Sequence, residues 1–258
     1  MAGESYRDLM EAAVQFADEA GRITLKYFRG EFEVERKADT SFVTVADREA
    51  EARLRELIEA RFPEDGIVGE EFGETRPAAR RRWILDPIDG TFSFVHGVPL
   101  YGVLIGVEED GEPVAGVINL AALDETVVAA KGEGCFWQGR RAQVSETAGL
   151  GEALLIVTEK YYAQPVPGDA IPRLIRAAGP VRTWGDCYGY ALVATGRADV
   201  AVDPVMSVWD CGPLLTIIEE AGGRFSDWKG ERTISGGNAV ATNGKLHDAV
   251  LALLRGDG

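Results

Sequence analysis

The chain has only three cysteines and two histidines among 258 residues. Cys135, Cys187 and Cys211 lie far apart and form no CxxC pair, which argues against a disulfide framework or a thiolate zinc site. With His96 and His247 as the sole imidazoles, any bound metal must be held mainly by oxygen, and that favours magnesium, manganese or calcium over zinc. Positive charge is scarce as well: 27 Lys and Arg stand against 42 Asp and Glu, a formal net charge of −15. Nucleic-acid backbones attract concentrated Lys and Arg, so no nucleic-acid partner is expected. No apolar run approaches the roughly 20 residues that span a bilayer. The start, MAGESYRDLMEAAVQ, lacks the basic-then-apolar pattern of a secretory signal. The expectation is a cytoplasmic location and no membrane partner.

What is present is an ordinary globular composition, 46% hydrophobic and 27% charged, sufficient for a sizeable core. With no repeat, low-complexity segment or clear linker, residues 1–258 are read as one domain with sub-halves of about 1–148 and 149–258. Leu9, Ala13, Phe16, Ala20, Ile23 and Tyr27 mark one face of a long helix ended by Gly30. A second helix is expected from about Asp47 to Arg61, preceded by Thr44 and Asp47 in a near capping box. Short strands follow at Ile67-Val68 and Trp83-Ile84-Leu85, then antiparallel ones at 102–107, 113–120 and 126–130, with 132–139 as a tight reversal. From about residue 150 strands and helices alternate, including one continuous helix over 210–221 stopped by Gly222-Gly223. A helix-plus-sheet half joined to an α/β half is the resulting fold class.

Trp83 to Thr91, WILDPIDGT, carries the most chemistry. An apolar strand leads into Asp86 and Asp89, separated by a proline that fixes the backbone; Gly90 allows a sharp turn and Thr91 supplies a hydroxyl. Two carboxylates on a rigid turn can bridge hard cations, with the Ile88 carbonyl as a further donor. Taken alone, the same residues also make an ordinary Asp/Pro/Gly turn. Glu70 and Glu71 follow another short strand, and Asp210 opens a helix after Trp209, where an acid also complements the helix dipole.

GEE at 69–71, WILDPIDGT at 83–91 and Trp209-Asp210 followed by an apolar helix ending EAGG at 219–223 together resemble the inositol monophosphatase superfamily, over most of the chain from Lys37 to about Asp248. The resemblance implies a layered αβαβα sandwich of the inositol monophosphatase and fructose-1,6-bisphosphatase type, a homodimer, and two or three magnesium ions, with manganese as a substitute. It implies that Glu70, Asp86 and the Ile88 carbonyl hold a first ion, and Asp86, Asp89 and Asp210 a second. Thr91, paired with Asp47, would orient and deprotonate the attacking water together with Glu70. Lys37 matches a lysine near the phosphate, and Gly90 and Thr91 would offer it backbone N–H groups. Two cations about 3.5–4 Å apart suit in-line hydrolysis of a phosphate monoester without histidine or cysteine.

Trp184-Gly185-Asp186-Cys187-Tyr188-Gly189-Tyr190 resembles the WGDCYxY stretch of the histidinol-phosphate phosphatase branch, and Lys37-Ala38-Asp39, DGTFSFVHG at 89–97 and AVATNGKLHD at 239–248 point the same way. Histidinol phosphate carries an ammonium and an imidazole, and Asp89, Gly185, Asp186, Asp203 and Asp210 are expected substrate contacts beside Lys37, Gly90 and Thr91, with Asp186 and Asp203 pairing with its cations. Asp186 can equally cap a helix, and Tyr188 and Tyr190 read as packing. Ser93 and Cys211-Gly212-Pro213 depart from the common family pattern. Competing substrates are inositol phosphate and other sugar or nucleotide phosphates. A non-catalytic acidic cation-binding protein is the alternative of a different class, but it calls for a DxDxDG-type loop, which is absent.

Overall fold

Two helix starts are secured by reciprocal hydrogen bonds that the sequence writes in an unusual form. In the computed structural model, which describes residues 4–37, 42–158 and 169–256, Ser5 caps the helix Tyr6–Tyr27 and Thr44 caps Val45–Arg61. The third helical position holds aspartate in both, and the short acid still reaches back: Ser5 N–H donates to Asp8 Oδ2 at 2.9 Å, and Thr44 N–H to Asp47 Oδ2 at 2.8 Å. The buried stripes of these helices, with Leu9, Phe16, Leu54 and Ile58, pack against Trp83, Leu85, Val103 and Ile105.

Among the described residues the first sheet has eight strands, in the order Arg140–Arg141, Gly134–Trp137, Glu125–Ala130, Glu112–Leu120, Gly102–Glu109, Arg81–Asp89, Gly66–Gly69, Gly73–Thr75. Alternation along Arg81–Asp89 sends Trp83 and Leu85 to the outer helices and Ile84 to the opposite core. The second sheet has five strands, ordered Val181–Arg182, Leu155–Val157, Val200–Asp203, Ala239–Thr242, Arg224–Ser226. Helices Cys187–Ala194, Val208–Cys211 and Leu214–Glu220 lie between the sheets, in a core that joins Ile84, Leu104 and Ile118 to Ala201 and Ala241. Ala170–Ala177 and His247–Arg255 cover the outer face of the second sheet. The layers run α, β, α, β, α, as the motifs imply.

Three elements differ from their expected form. The strand begun at Trp83 does not stop at the aspartates: Arg81–Asp89 runs through both, with a register shift against Gly102–Glu109 between Asp86 and Asp89. The reversal at 132–139 contains a paired strand, Gly134–Trp137. The helix expected over 210–221 is two helices, parted at Gly212-Pro213. Proline lacks the N–H that would continue the helix, and the backbone here is pressed onto the sheet. A Cβ on Gly116 would lie 2.3 Å from the Pro213 carbonyl oxygen, and one on Gly106 2.5 Å from the Gly212 carbonyl carbon. Gly116→Ala is therefore expected to destabilise the fold by about 1–3 kcal/mol and to lower activity by lifting Asp210 off the sheet; urea unfolding and a turnover assay check both effects.

His247 is a core residue: its ring nitrogens hydrogen-bond with Thr242 Oγ1 at 3.1 Å and Ser226 Oγ at 2.9 Å, and burial pushes its pKa down to about 4 from 6.5. The unfolded chain then binds a proton that the folded chain refuses between those values. Stability from this group is complete above pH 6.5 and is lost as pH falls towards 4. In His247→Gln the loss of stability on acidification should be shallower than in the wild type, by up to about 1.4 kcal/mol per pH unit, as read from urea unfolding at pH 7 and pH 5.

Candidate active site

The strand Arg81–Asp89 and the short helix Val208–Cys211 deliver three carboxylates to one point. Oxygens of Asp86, Asp89 and Asp210 all lie within 4.8 Å of one another, and all three residues are buried. Each is also tied to backbone. Asp86 Oδ1 accepts from Ile88 N–H at 3.0 Å, and Asp210 Oδ2 from Ser207 N–H at 2.7 Å, in a capping box. Asp89 Oδ2 accepts from Cys187 N–H, the first residue of the helix Cys187–Ala194. Capping and clustering by Asp210 are thus compatible: one oxygen serves the helix while the carboxylate still meets its neighbours. Burial raises the Asp86 pKa well above the ordinary 3.8, and the charges of Glu70, Asp89, Asp210 and Asp47 push it further.

Glu70 is near enough for its charge to act on Asp86, and it shares with Glu71 the ammonium of Lys37, whose Nζ lies 2.7 Å from Glu70 Oε1 and 2.6 Å from Glu71 Oε1. Burial alone would lower the Lys37 pKa, but these two hydrogen bonds outweigh it and hold the group above its usual value. Burial raises Glu71 to about 7 despite Lys37, with the Glu70 charge adding to the rise. Ala38 and Asp39 of the same motif lie outside the described residues. Asp47 is pushed up to about 6 by burial, opposed by its bonds from Thr44 and reinforced by the Glu70 charge. Its Oδ1 is buried with no hydrogen-bond partner among the described residues. The expected pairing of Thr91 with Asp47 is not made here, because Thr91 Oγ1 donates instead to the Ile88 carbonyl at 3.0 Å. That geometry follows from Gly90, whose left-handed backbone (φ 87°) starts the short helix Thr91–Val95 and turns the hydroxyl back over the strand end.

Asp186 does not cap its helix with its side chain. Its Oδ2 lies 3.0 Å from where a Cβ on Gly90 would stand, so the carboxylate borders the Asp89-Gly90 turn. Gly185 packs on Thr158, 2.9 Å from the Thr158 Cγ2 when a Cβ is built on it. Asp203 is 2% exposed and accepts from the Thr158 hydroxyl and, at 3.0 Å, from Tyr190 OH.

The model of the inositol monophosphatase family matches residues 5–257. The chain belongs to that family. A histidinol-phosphatase of Chlorobaculum parvum is 46% identical over 252 residues, 96% of this chain and 97% of the relative. A histidinol-phosphatase of Mycobacterium tuberculosis is 40% identical over 257 residues, 97% and 98% of the two chains. The solved structure of a Thermotoga maritima IMPase superposes with a TM-score of 0.88 at 31% identity, covering 96% of this chain and 97% of that one. This inositol monophosphatase family member is a phosphoric monoester hydrolase. None of its described helices is long and apolar enough to cross a membrane.

In this family member a residue absent from the sequence reading supports the site. Glu51 is fully buried on the helix Val45–Arg61, one turn beyond Asp47. Its Oε2 accepts from Glu71 N–H at 2.7 Å, and its Oε1 from Phe72 N–H at 3.2 Å and Arg55 Nε at 2.8 Å. A Cβ on Gly69 would come 2.1 Å from Glu51 Oε1, which explains the glycine before the two glutamates. The available signal was the i, i+4 stripe of Asp47, Glu51 and Arg55, a pattern shared by many solvated helices.

Proposed function

We infer that this enzyme hydrolyses histidinol phosphate to histidinol and phosphate, with two or three magnesium ions and with manganese as a substitute. The observation that carries the reading is the buried Asp86, Asp89 and Asp210 cluster bordered by Asp186, a further carboxylate beside Gly90. Two highly similar relatives, both histidinol-phosphatases, support it. The donor set suits a hard cation: every ligand is oxygen, and the burial and mutual repulsion that raise Asp86 are what a divalent charge would offset. Glu70, Asp86, the Ile88 carbonyl, Asp89 and Asp210 would hold the ions. Magnesium bound there would neutralise phosphate oxygens and acidify a water molecule.

The chain's own groups do the rest. The backbone N–H groups of Gly90 and Thr91, together with Lys37, orient the phosphate. Asp47, at about 6 and with one oxygen unengaged, is suited to take a proton near neutrality, with Thr91 and Glu70 positioning the water. Asp186 faces the ammonium of the leaving alcohol. Phosphate release from histidinol phosphate and from inositol monophosphate, each with magnesium and with a chelator, tests the reading. The expected result is magnesium-dependent turnover with kcat/KM at least about 10-fold higher on histidinol phosphate, the usual scale for one added charge-assisted contact. A preference for inositol monophosphate would overturn the substrate.

A further inference from the structure

The Tyr190–Asp203 contact joins elements that meet at the site. Tyr190 is buried on the helix Cys187–Ala194, and Asp203 ends the strand Val200–Asp203. The phenol donates to Asp203 Oδ2 at 3.0 Å, while Oδ1 accepts from Thr158, the residue after the strand Leu155–Val157. A buried carboxylate that accepts from two hydroxyls ties the helix, the strand and Thr158 together, because a hydrogen bond to a buried charged acceptor is costly to lose.

One turn before Tyr190 the same helix touches the carboxylate cluster. Cys187 N–H donates to Asp89 Oδ2. Asp186 adopts φ 55°, ψ −154°, a backbone region costly to any residue but glycine, and its carboxylate borders Gly90. Gly189 lets the helix lie directly on Ile156, since a Cβ there would approach to 2.8 Å. The helix is only eight residues long, so a hydrogen bond at Tyr190 acts within about one turn of its start.

We propose that Tyr190 and Asp203 are a positioning pair: their hydrogen bond fixes the first turn of this helix and so sets Asp186 against the Asp89-Gly90 turn to receive an ammonium-bearing phosphate ester. The proposal rests on the histidinol phosphate reading above and assigns Asp203 a supporting role instead of a substrate contact. Tyr190→Phe, Asp203→Asn and the double variant of the full-length enzyme are assayed at saturating magnesium on histidinol phosphate and inositol monophosphate. Each single variant should lower the ratio of kcat/KM between the two esters by about 10-fold, the scale of one hydrogen bond to a charged group. The loss should lie mainly in KM for histidinol phosphate, and the double variant should fall no more than about 2-fold further. Magnesium-dependent thermal stabilisation retained in all three shows that the cluster is assembled.

A large loss in Asp203→Asn with little in Tyr190→Phe, or losses that multiply in the double variant, would overturn the pair and make Asp203 a direct contact. If the wild-type enzyme shows no preference for histidinol phosphate, the substrate reading falls. The pair is then judged on KM for inositol monophosphate: coincident shifts in the single and double variants support it, and absent or multiplying shifts overturn it.

Discussion

Asp89→Asn is expected to lower phosphate release on the order of 100- to 1000-fold at saturating magnesium, the scale of removing one preorganised electrostatic element from a transition state. The fold should persist. An asparagine carbonyl can still accept the Cys187 N–H that Asp89 Oδ2 now takes, so the helix Cys187–Ala194 keeps its seat. Removing one of three close negative charges also relieves repulsion with Asp86 and Asp210. Circular dichroism and steady-state kinetics on the same preparation separate the two effects. Turnover near the wild-type rate would remove Asp89 from the reaction.

The second large effect is on stability without metal. In the folded chain the Asp86 carboxyl titrates well above its ordinary 3.8, because burial and the charges of Glu70, Asp89, Asp210 and Asp47 oppose ionisation. The folded state therefore binds a proton more tightly than the unfolded state does. Stability from this group is complete below pH 3.8 and is lost as pH rises through the elevated folded value. Metal-free Asp86→Asn, which mimics the protonated acid, should melt above the metal-free wild type, with the gap widening from pH 5 to pH 8. Magnesium at about 100 times its dissociation constant should stabilise the wild type by about 2.7 kcal/mol, or about 5–10 °C for a chain of this size. Asp86→Asn should lose most of that shift. Thermal melts with chelator and with magnesium measure both, and a wild-type melting temperature indifferent to magnesium would rule out the cluster as a cation site.

Much of this was legible in the chain because the signals are local. The apolar stripe from Leu9 to Tyr27 defined a helix, and its start at Tyr6 needed only the Ser5–Asp8 box to be recognised with aspartate in place of glutamate. The Asp86 and Asp89 motif needed no partner to be noticed, since proline and glycine around paired acids constrain the backbone by themselves. Short strands such as Gly73–Thr75 are not legible in the chain, because a few mostly exposed residues carry no periodicity. The apolar spacing over 210–221 is continuous and predicts one helix; the break depends on contact between Gly212-Pro213 and the sheet glycines Gly106 and Gly116.

By itself the sequence determined the helix faces, the family motifs, and an oxygen-rich, histidine-poor donor set that selects hard cations. Those are properties of residue type and spacing along one chain. The tertiary structure alone decided that Asp210 meets Asp86 and Asp89, that Glu51 fills the space a glycine leaves, and that Asp203 is turned inward to Tyr190 and Thr158 while Asp186 borders the turn. These outcomes depend on sheet register and on how closely backbones approach, and steric contacts between distant segments leave no periodic trace in the order of the residues.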